Sequence, residues 1–330
     1  MAKFHVQGRD AGAFLEHLSG NRVNGPAGTI TYTQWLKEGG TLEADLTVTK
    51  LGDERFFVVA SDTAHRHVET WMRRHLDALA DRFPHAFVTD VTSAYTQLNV
   101  QGPRSRALLA ELTSCDLSNE AFPFRAAREI DLGFARVLCV RITYLGELGY
   151  ELYIPTEQAT HVYDRLLQAG AAHGLRHAGL KALASLRMEK AYRDYGHDID
   201  NTDSVLQAGL GFAVDLTKPA FVGREAVVAE KAKGPPTRRL VQILLKDPEP
   251  LLFHAEVVRR SGVAVGYVRA ASYGHTLGGA VGLVMVDAGV PIDQAYLDAG
   301  EWEVEVGALR VPAVASLRPL YDPTMSRVRA

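Results

Sequence analysis

The sequence has 330 residues, 47% apolar and 23% charged, with 36 basic and 39 acidic side chains, an ordinary soluble composition with room for two or three hydrophobic cores. A net charge of −3 gives no large field to gather nucleic acid or an anionic membrane surface. No run approaches the roughly 18 uninterrupted apolar residues of a membrane-spanning helix.

The opening MAKFHVQGRD carries neither the apolar core of a secretory signal nor an Arg- and Ser-rich transit segment, so a cytoplasmic location is expected. Residues 3–6 read as a short strand and 11–18 as a helix. Residues 29–36, 41–49 and 55–60 read as strands, the last two joined across Leu51-Gly52-Asp53-Glu54. In the middle strand Leu42, Ala44, Leu46 and Val48 alternate with polar residues, so one face is core and the other, carrying Asp45, Thr47 and Thr49, is polar. Residues 62–79 form an amphipathic helix opened by an Asp or Thr cap, with Val68, Trp71, Met72 and His75 or Leu76 inward. His65 and His67, two apart on that helix, do not share a face, and no metal site is expected there.

Two more short strands fall within 87–100, and Gly102-Pro103 starts a helix through Leu112. Residues 129–143 and 149–155 read as a hairpin around Tyr144-Leu145-Gly146-Glu147-Leu148. Residues 156–174 read as a helix with Val162, Leu166, Leu167 and Ala171 inward. Cys115 and Cys139 are far apart with no Cys-x-x-Cys spacing, as expected of two buried small hydrophobes.

The segment 180–215 places a charge where a helix should be apolar. Leu180, Leu183, Ala184 and Ala191 form one stripe, and Arg187 falls on it. A guanidinium turned inward needs a carboxylate or a polar ligand to offset its desolvation. The helix is expected to end near Tyr195 and Gly196, followed by a polar loop over 197–204 and an apolar stretch holding Gly209 and Gly211. Those glycines point to close approach of another element or of a ligand. KAKGPPTRR, residues 231–239, reads as a linker. Beyond it short strands (240–245, 255–259, 264–269 and 279–286) alternate with glycine turns, as in a small barrel or jelly-roll-like module. The run Tyr273-Gly274-His275-Thr276-Leu277-Gly278-Gly279 could cradle a ligand, although bulges and turns are the commoner reason for such a run. Nucleotide, serine-hydrolase and zinc-protease motifs are absent.

Three charged groups are marked by position. Arg187 serves either an internal ion pair or a ligand. Asp45 sits in a strand interior, where an Asp is disfavoured without a compensating hydrogen bond or ligand. Glu151 shares a strand face with Tyr153 and could match the adjacent N–H donors of a heterocycle, or be the partner that Arg187 requires.

The segments TYTQWLKEGGTLEADLTVTKL, YLGELGYELYIP and SLRMEKAYRDYGHDIDNTDSVLQAGLGFAVD, followed by FVGREA, resemble the aminomethyltransferase (glycine cleavage T protein) superfamily. Within it the chain is most similar to the folate-binding C-terminal region of dimethylglycine and sarcosine dehydrogenases and dimethylglycine oxidase. LNVQGPRSRALL and RPLYDPTMSR extend the resemblance over nearly the whole sequence. It implies an α+β, three-domain ring around a central tetrahydrofolate cavity. Residues 1–95 would be the ferredoxin-like second domain, 96–230 the first domain, and 236–330 the C-terminal β-barrel or jelly-roll-like domain. In that family several dozen residues precede the strand matching Ala2-Lys3-Phe4, and the expectation is that a partner supplies them, the domain is rearranged, or the sequence starts late.

Carried over by position, Asp45 matches the family's acid beside folate N10, and Glu151 matches the carboxylate that recognises the pterin ring. Tyr144 and Arg187 match cavity residues, Tyr153 lies on the Glu151 face, and Tyr321 matches a C-terminal Tyr. The implied activity is one-carbon transfer between an amine-type donor and tetrahydrofolate without a metal, the cofactor supplying the difficult chemistry. Implied partners are a small-molecule donor and a flavoprotein dehydrogenase subunit or lipoyl carrier protein. A branch associated with iron–sulfur maintenance carries Cys in a KGCYxGQE motif; here the matching stretch is Lys218-Pro219-Ala220-Phe221-Val222-Gly223-Arg224-Glu225, which argues against that branch.

Overall fold

The computed structural model describes all 330 residues. Its first module contains β1 (Ala2–Gln7), α1 (Ala11–Leu18), β2 (Thr29–Leu36), β3 (Leu42–Gly52), β4 (Arg55–Ala60), α2 (His65–Ala78) and β5 (Phe87–Asp90). The sheet order is β2-β3-β4-β1-β5, with every neighbouring pair antiparallel. β4 and β5 therefore run parallel on either side of β1, joined over one face by α2, which is a split β-α-β unit. Alternation decides the faces. Ala44, Leu46 and Val48 pack with Phe4, Phe14, Leu15, Val68 and Met72 under the two helices. The start of α2 differs from expectation: Ala64 occupies the cap without a side-chain bond, and the Asp62 carboxylate accepts only from the neighbouring Thr63 N–H.

The second module holds β6 (Tyr95–Gln101), α3 (Ser105–Ala110), β7 (Ala127–Leu132), β8 (Ala135–Val140), β9 (Gly149–Pro155) and α4 (Ala159–Gly170), with sheet order β6-β9-β8-β7. The expected single strand over 129–143 is instead a hairpin of its own. Gly133, at φ +65°, turns the chain between β7 and β8. β9 does pair with β8, as expected for the longer hairpin, and also with β6. Helix α4 stops at Gly170, against which Leu175 folds back so closely that a Cβ would lie 2.4 Å from its side chain. Ala171 is consequently exposed rather than inward. Helices α3 and α4 cover one face of this sheet through Leu108, Leu109, Val162 and Leu166.

The uncovered faces of the two sheets meet. Ile30, Phe57 and Val59 of the first pack against Ala127, Leu138, Val140 and Tyr153 of the second, giving a helix–sheet–sheet–helix stack.

Helices α5 (Leu180–Glu189) and α6 (Arg224–Ala232) then lead to β10 (Arg238–Leu245), β11 (Val257–Arg260), β12 (Val263–Gly274), β13 (Gly279–Asp287), α7 (Gln294–Asp298), β14 (Trp302–Val306) and β15 (Leu309–Ser316). The six strands close into a barrel, β10-β13-β12-β11-β14-β15. Its interior is filled by Val241, Ile243, Val258, Val284, Trp302 and Val304. The expected linker shrinks to residues 233–237, because α6 continues through Ala232 and β10 begins at Arg238. The glycine-rich run at 273–279 is the tight connection between β12 and β13. Its Thr276 and Leu277 N–H groups donate to Glu189 Oε1 at 2.7 and 2.9 Å.

Helix α5 ends six residues earlier than the sequence suggests. Gln242 on β10 donates its amide N–H to Met188 O at 2.7 Å and to Glu189 O at 3.1 Å, adding a second partner to carbonyls at the helix end that also accept from the Ala191 and Tyr321 N–H groups. Ala191 then takes a left-handed φ of +53°. The apolar stripe is correspondingly cut short. Leu180 is 82% exposed, and the buried side chains are Ser185, Arg187, Met188 and Glu189. Cys139 is fully buried and Cys115 half-buried, both as free thiols.

Because Gln242 also accepts from Leu320 N–H at 2.8 Å, replacing it removes three hydrogen bonds and leaves the Leu320 N–H without a partner, while Met188 O and Glu189 O keep the Ala191 and Tyr321 N–H groups. Gln242→Leu is expected to destabilise the chain by about 2–4 kcal/mol. A midpoint in urea unfolding within error of the parent would show that the barrel does not hold the helix in this way.

Candidate functional site

The site is built on the facing surfaces of the two sheets. On the first, Asp45 projects from β3 and Tyr32 and Gln34 from β2, Gln34 pairing directly with Asp45 in register. Gln34 donates its amide N–H to Asp45 Oδ1 at 2.9 Å, and the neighbouring Tyr32 hydroxyl also favours the charged carboxylate. Asp45 keeps a little accessible surface, but enclosure dominates its chemistry. Burial raises its pKa to about 6 against the lowering effect of Tyr32, Gln34 and Arg193. The same burial, with the Asp45 charge, holds the Tyr32 hydroxyl well above its ordinary range.

On the second sheet, Glu151 and Tyr153 share a face of β9. The Tyr153 hydroxyl donates to Glu151 Oε2 at 2.5 Å. Burial raises the Glu151 pKa, while Tyr153 opposes the shift by stabilising the charged form. Tyr153, Phe57 and Tyr95 make edge-on contacts at 5.0 and 5.5 Å, an aromatic wall between the sheets. Around it the amide oxygens of Gln34, Gln97 and Gln101 and Nδ1 of His5 are buried without a hydrogen-bond partner. An acceptor buried without a partner costs about 1–3 kcal/mol, and a water or a donor-bearing ligand would satisfy it.

Tyr144 and Arg187 close one end. The Tyr144 hydroxyl donates to Arg193 O at 2.6 Å, and its ring lies 6.0 Å from that of Tyr192 at 15°. Arg187 is 3% exposed. Its Nη1 donates to Asp198 Oδ2 at 2.8 Å and to Tyr192 O at 2.9 Å. Of the two roles open to it, the ion pair is the one observed, and the partner is Asp198 rather than Glu151. Arg187 and Asp198 both contribute to the field at Tyr144, as does Asp45.

Tyr321 stands apart from the two carboxylates. Its hydroxyl donates to Glu147, and its ring lies 6.0 Å from the buried Lys190 ammonium, which pairs with Asp322. Burial and Glu147 push its pKa up to about 12. Two open surface grooves of about 620 Å³ lie elsewhere, one against α2 around Glu43 and Trp71, the other along residues 27–29 and 123–128. Neither includes Asp45 or Glu151.

Sequence reasoning missed Tyr32, Gln34, Arg193 and Asp198. The first two were visible as the polar alternates of TITYTQWL, whose partners on β3 include Asp45. Nothing local distinguished Asp198 from the other acids of its loop.

Two sheet modules meeting over a polar slot, with a closed barrel behind them, define a class that comparison with known proteins identifies. Residues 1–218 match the GCVT N-terminal domain, and residues 238–322 match the glycine cleavage T-protein C-terminal barrel domain. The chain belongs to the glycine cleavage T protein family. It is 35% identical over 329 residues to 4-methylaminobutanoate oxidase (formaldehyde-forming) of Paenarthrobacter nicotinovorans, covering 99% of this chain and 38% of that protein. It is 33% identical over 347 residues to mitochondrial sarcosine dehydrogenase of Homo sapiens, covering 99% of this chain and 37% of that protein. The chain thus spans little more than a third of the length of these relatives. In fold it resembles the glycine cleavage system aminomethyltransferase T from Bartonella henselae, with a TM-score of 0.83 and 23% identity, covering 98% of this chain and 84% of that one.

The raised pKa of Asp45 carries a stability signature. Its folded pKa, about 6, exceeds the unfolded value near 4, so the folded state favours the protonated acid. That contribution is complete below about pH 4 and is lost as pH rises through about 6. Asp45→Asn has no proton to lose, so its stability relative to the parent should improve by up to about 3 kcal/mol between pH 4 and pH 8. Urea unfolding across that range checks it; a flat difference would mean that Asp45 titrates normally.

Proposed function

We propose that this chain is a tetrahydrofolate-dependent one-carbon transferase acting on an amine-type donor, such as an N-methylated amino acid or an aminomethyl intermediate. The observation that carries the reading is the pair of enclosed carboxylates, Asp45 and Glu151, on facing sheets among unpartnered amide oxygens. A pterin presents adjacent ring N–H and amino donors, which suit a fixed carboxylate and the oxygens of Gln97 and Gln101. Bound tetrahydrofolate would supply the nitrogen nucleophiles that accept a one-carbon unit.

Glu151 is then the pterin anchor, oriented by Tyr153 and flanked by the aromatic wall. Asp45 is the polar catalyst. With an affinity for protons near neutrality it can take up or release one at the reacting nitrogen, and when ionised it stabilises positive charge on an arriving one-carbon unit. Gln34 fixes its carboxylate, and Tyr32 favours its charged form. Tyr144 lines the same end of the slot, and Arg187 holds the loop behind it through Asp198. Tyr321, bonded to Glu147, supports the neighbouring 144–148 loop.

A second reading concerns where the donor comes from. The two relatives above are an oxidase and a dehydrogenase nearly three times as long as the matched region. Their names favour a companion role, in which a flavoprotein oxidises the methylamine and the region described here receives the one-carbon unit.

Isothermal titration with tetrahydrofolate tests the main reading. The parent should bind, and Glu151→Ala should lose at least about tenfold in affinity. Asp45→Ala should keep binding within a few-fold while turnover falls by about a hundredfold or more. Absence of binding by the parent, or unchanged binding in Glu151→Ala, removes the basis for the assignment; full activity in Asp45→Ala rejects the role given to that acid.

A further inference from the structure

Arg193 is a half-buried guanidinium that forms no ion pair with a carboxylate. Its Nε donates to Ala208 O at 3.0 Å and its Nη1 to Ala191 O at 2.7 Å, both neutral carbonyls, while Nη2 makes no hydrogen bond within the protein. The buried acids nearest in sequence are engaged elsewhere, Glu189 with the Thr276 and Leu277 N–H groups and Asp198 with Arg187. Arg193 feels the fields of Tyr32, Asp198 and Asp45 without forming an ion pair with either acid, and Asp45 is itself pushed toward its neutral form. A permanent cation with a free N–H edge in such surroundings favours an anionic ligand.

Two neighbouring features give the place a shape. Gly209, at φ +69°, faces Nη2 so closely that a Cβ would lie 2.6 Å from it, so a side chain there would crowd that edge of the guanidinium. Phe212 is 75% exposed, and its ring lies 6.3 Å from that of Tyr32, whose hydroxyl neighbours Asp45. An aromatic pair, one ring exposed and one half-buried, beside a half-buried cation suits a zwitterion: a carboxylate on the guanidinium and a substituted ammonium against the rings.

We propose that Arg193 anchors the carboxylate of the one-carbon donor, the methylene iminium that a flavoprotein makes by two-electron oxidation of an N-methylated amino acid, with its one-carbon end against Tyr32 and Phe212 beside Asp45. Passing the methylene to the two folate nitrogens, which give up their protons to the leaving amine, releases the demethylated amino acid. The unoxidised amine serves as the stable probe of the same subsite. The proposal rests on the one-carbon reading given above and adds to it the donor's recognition: the carboxylate is required, and Arg193 is the residue that reads it. Arg187 does not compete for the role, because its charge is already answered by Asp198.

The test is isothermal titration of the tetrahydrofolate-loaded chain with sarcosine and with sarcosinamide, which replaces the carboxylate by a neutral amide. No oxidant is present, so binding is read without turnover. The parent should bind sarcosine at least about tenfold more tightly than sarcosinamide. Arg193→Gln should erase that preference, Arg193→Lys should retain only part of it because the planar fork is lost, and tetrahydrofolate affinity should stay within about threefold in both. Phe212→Ala, at an exposed position, should weaken both ligands alike by about three- to tenfold. Equal binding of the two ligands by the parent overturns the proposal without depending on any variant, as does a preference that survives in Arg193→Gln with unchanged melting. If Arg193→Gln weakens tetrahydrofolate but not tetrahydropteroate, which lacks the glutamyl tail, the guanidinium holds the cofactor's tail and the donor assignment falls. Running the sarcosine pair without folate separates the two readings: discrimination there supports the anchor even if tetrahydrofolate fails to bind, and its absence in both conditions ends the anchor alone.

Discussion

A guanidinium inside a protein must be met by something charged or polar, and in this chain that requirement organises everything around the slot. Arg187 leaves α5 pointing inward and takes both a carboxylate and a carbonyl from the residues that follow it, Asp198 and Tyr192. Asp198 accepts in turn from Asp194 N–H at 2.9 Å, which folds 192–198 into a fixed turn. A few residues on, Asp203 repeats the device toward the barrel, with Arg269 at 2.5 Å and Arg238 at 2.9 Å. Buried pairs of this kind add little net stability once desolvation is counted. What they provide here is position: a loop without regular structure is pinned at both ends, and Tyr144 and Arg193 take their places from it.

The two acids of the slot show how environment divides one chemistry into two roles. Both are raised by burial, yet Asp45 sits near several charges, with Tyr32, Gln34 and Arg193 pulling its pKa back down, whereas Glu151 leans on Tyr153. An acid poised near neutrality among adjustable donors is suited to exchanging a proton, and one held by a single short hydrogen bond is suited to staying where it is. The family resemblance supplied names for these roles; the hydrogen bonds give a physical reason why each acid could fill its own.

How much of this could be read beforehand depends on the range of the interaction involved. Alternation in β3 set Asp45 opposite Ala44 and Leu46 correctly, because a strand's two faces are a local matter. The inward turn of Arg187 was equally legible, since one charge on an apolar stripe needs no knowledge of the rest of the chain. Its partner was not, and neither was the end of α5, which Gln242 dictates from more than fifty residues away. β14 and β15 were overlooked because their apolar residues, Trp302 and Val304 against Val311 and Ala313, are few and matter only once the barrel closes on them. Tyr321 was assigned by resemblance, and the structure pairs it with Glu147 instead of bringing it to either acid.

The seam between the two sheets has a mechanical meaning. Backbone bonds join them along one edge, where Ala127 N–H donates to Gly28 O at 2.8 Å, Ile30 N–H donates to Arg125 O at 3.0 Å, and Thr29 bridges Ala126. Elsewhere they touch through side chains such as Phe57 and Tyr153, which slide and separate more readily than a hydrogen-bonded ladder. The stack is thus bound like a book at its spine, with a hydrogen-bonded edge on one side and side-chain contacts alone across the rest of the seam.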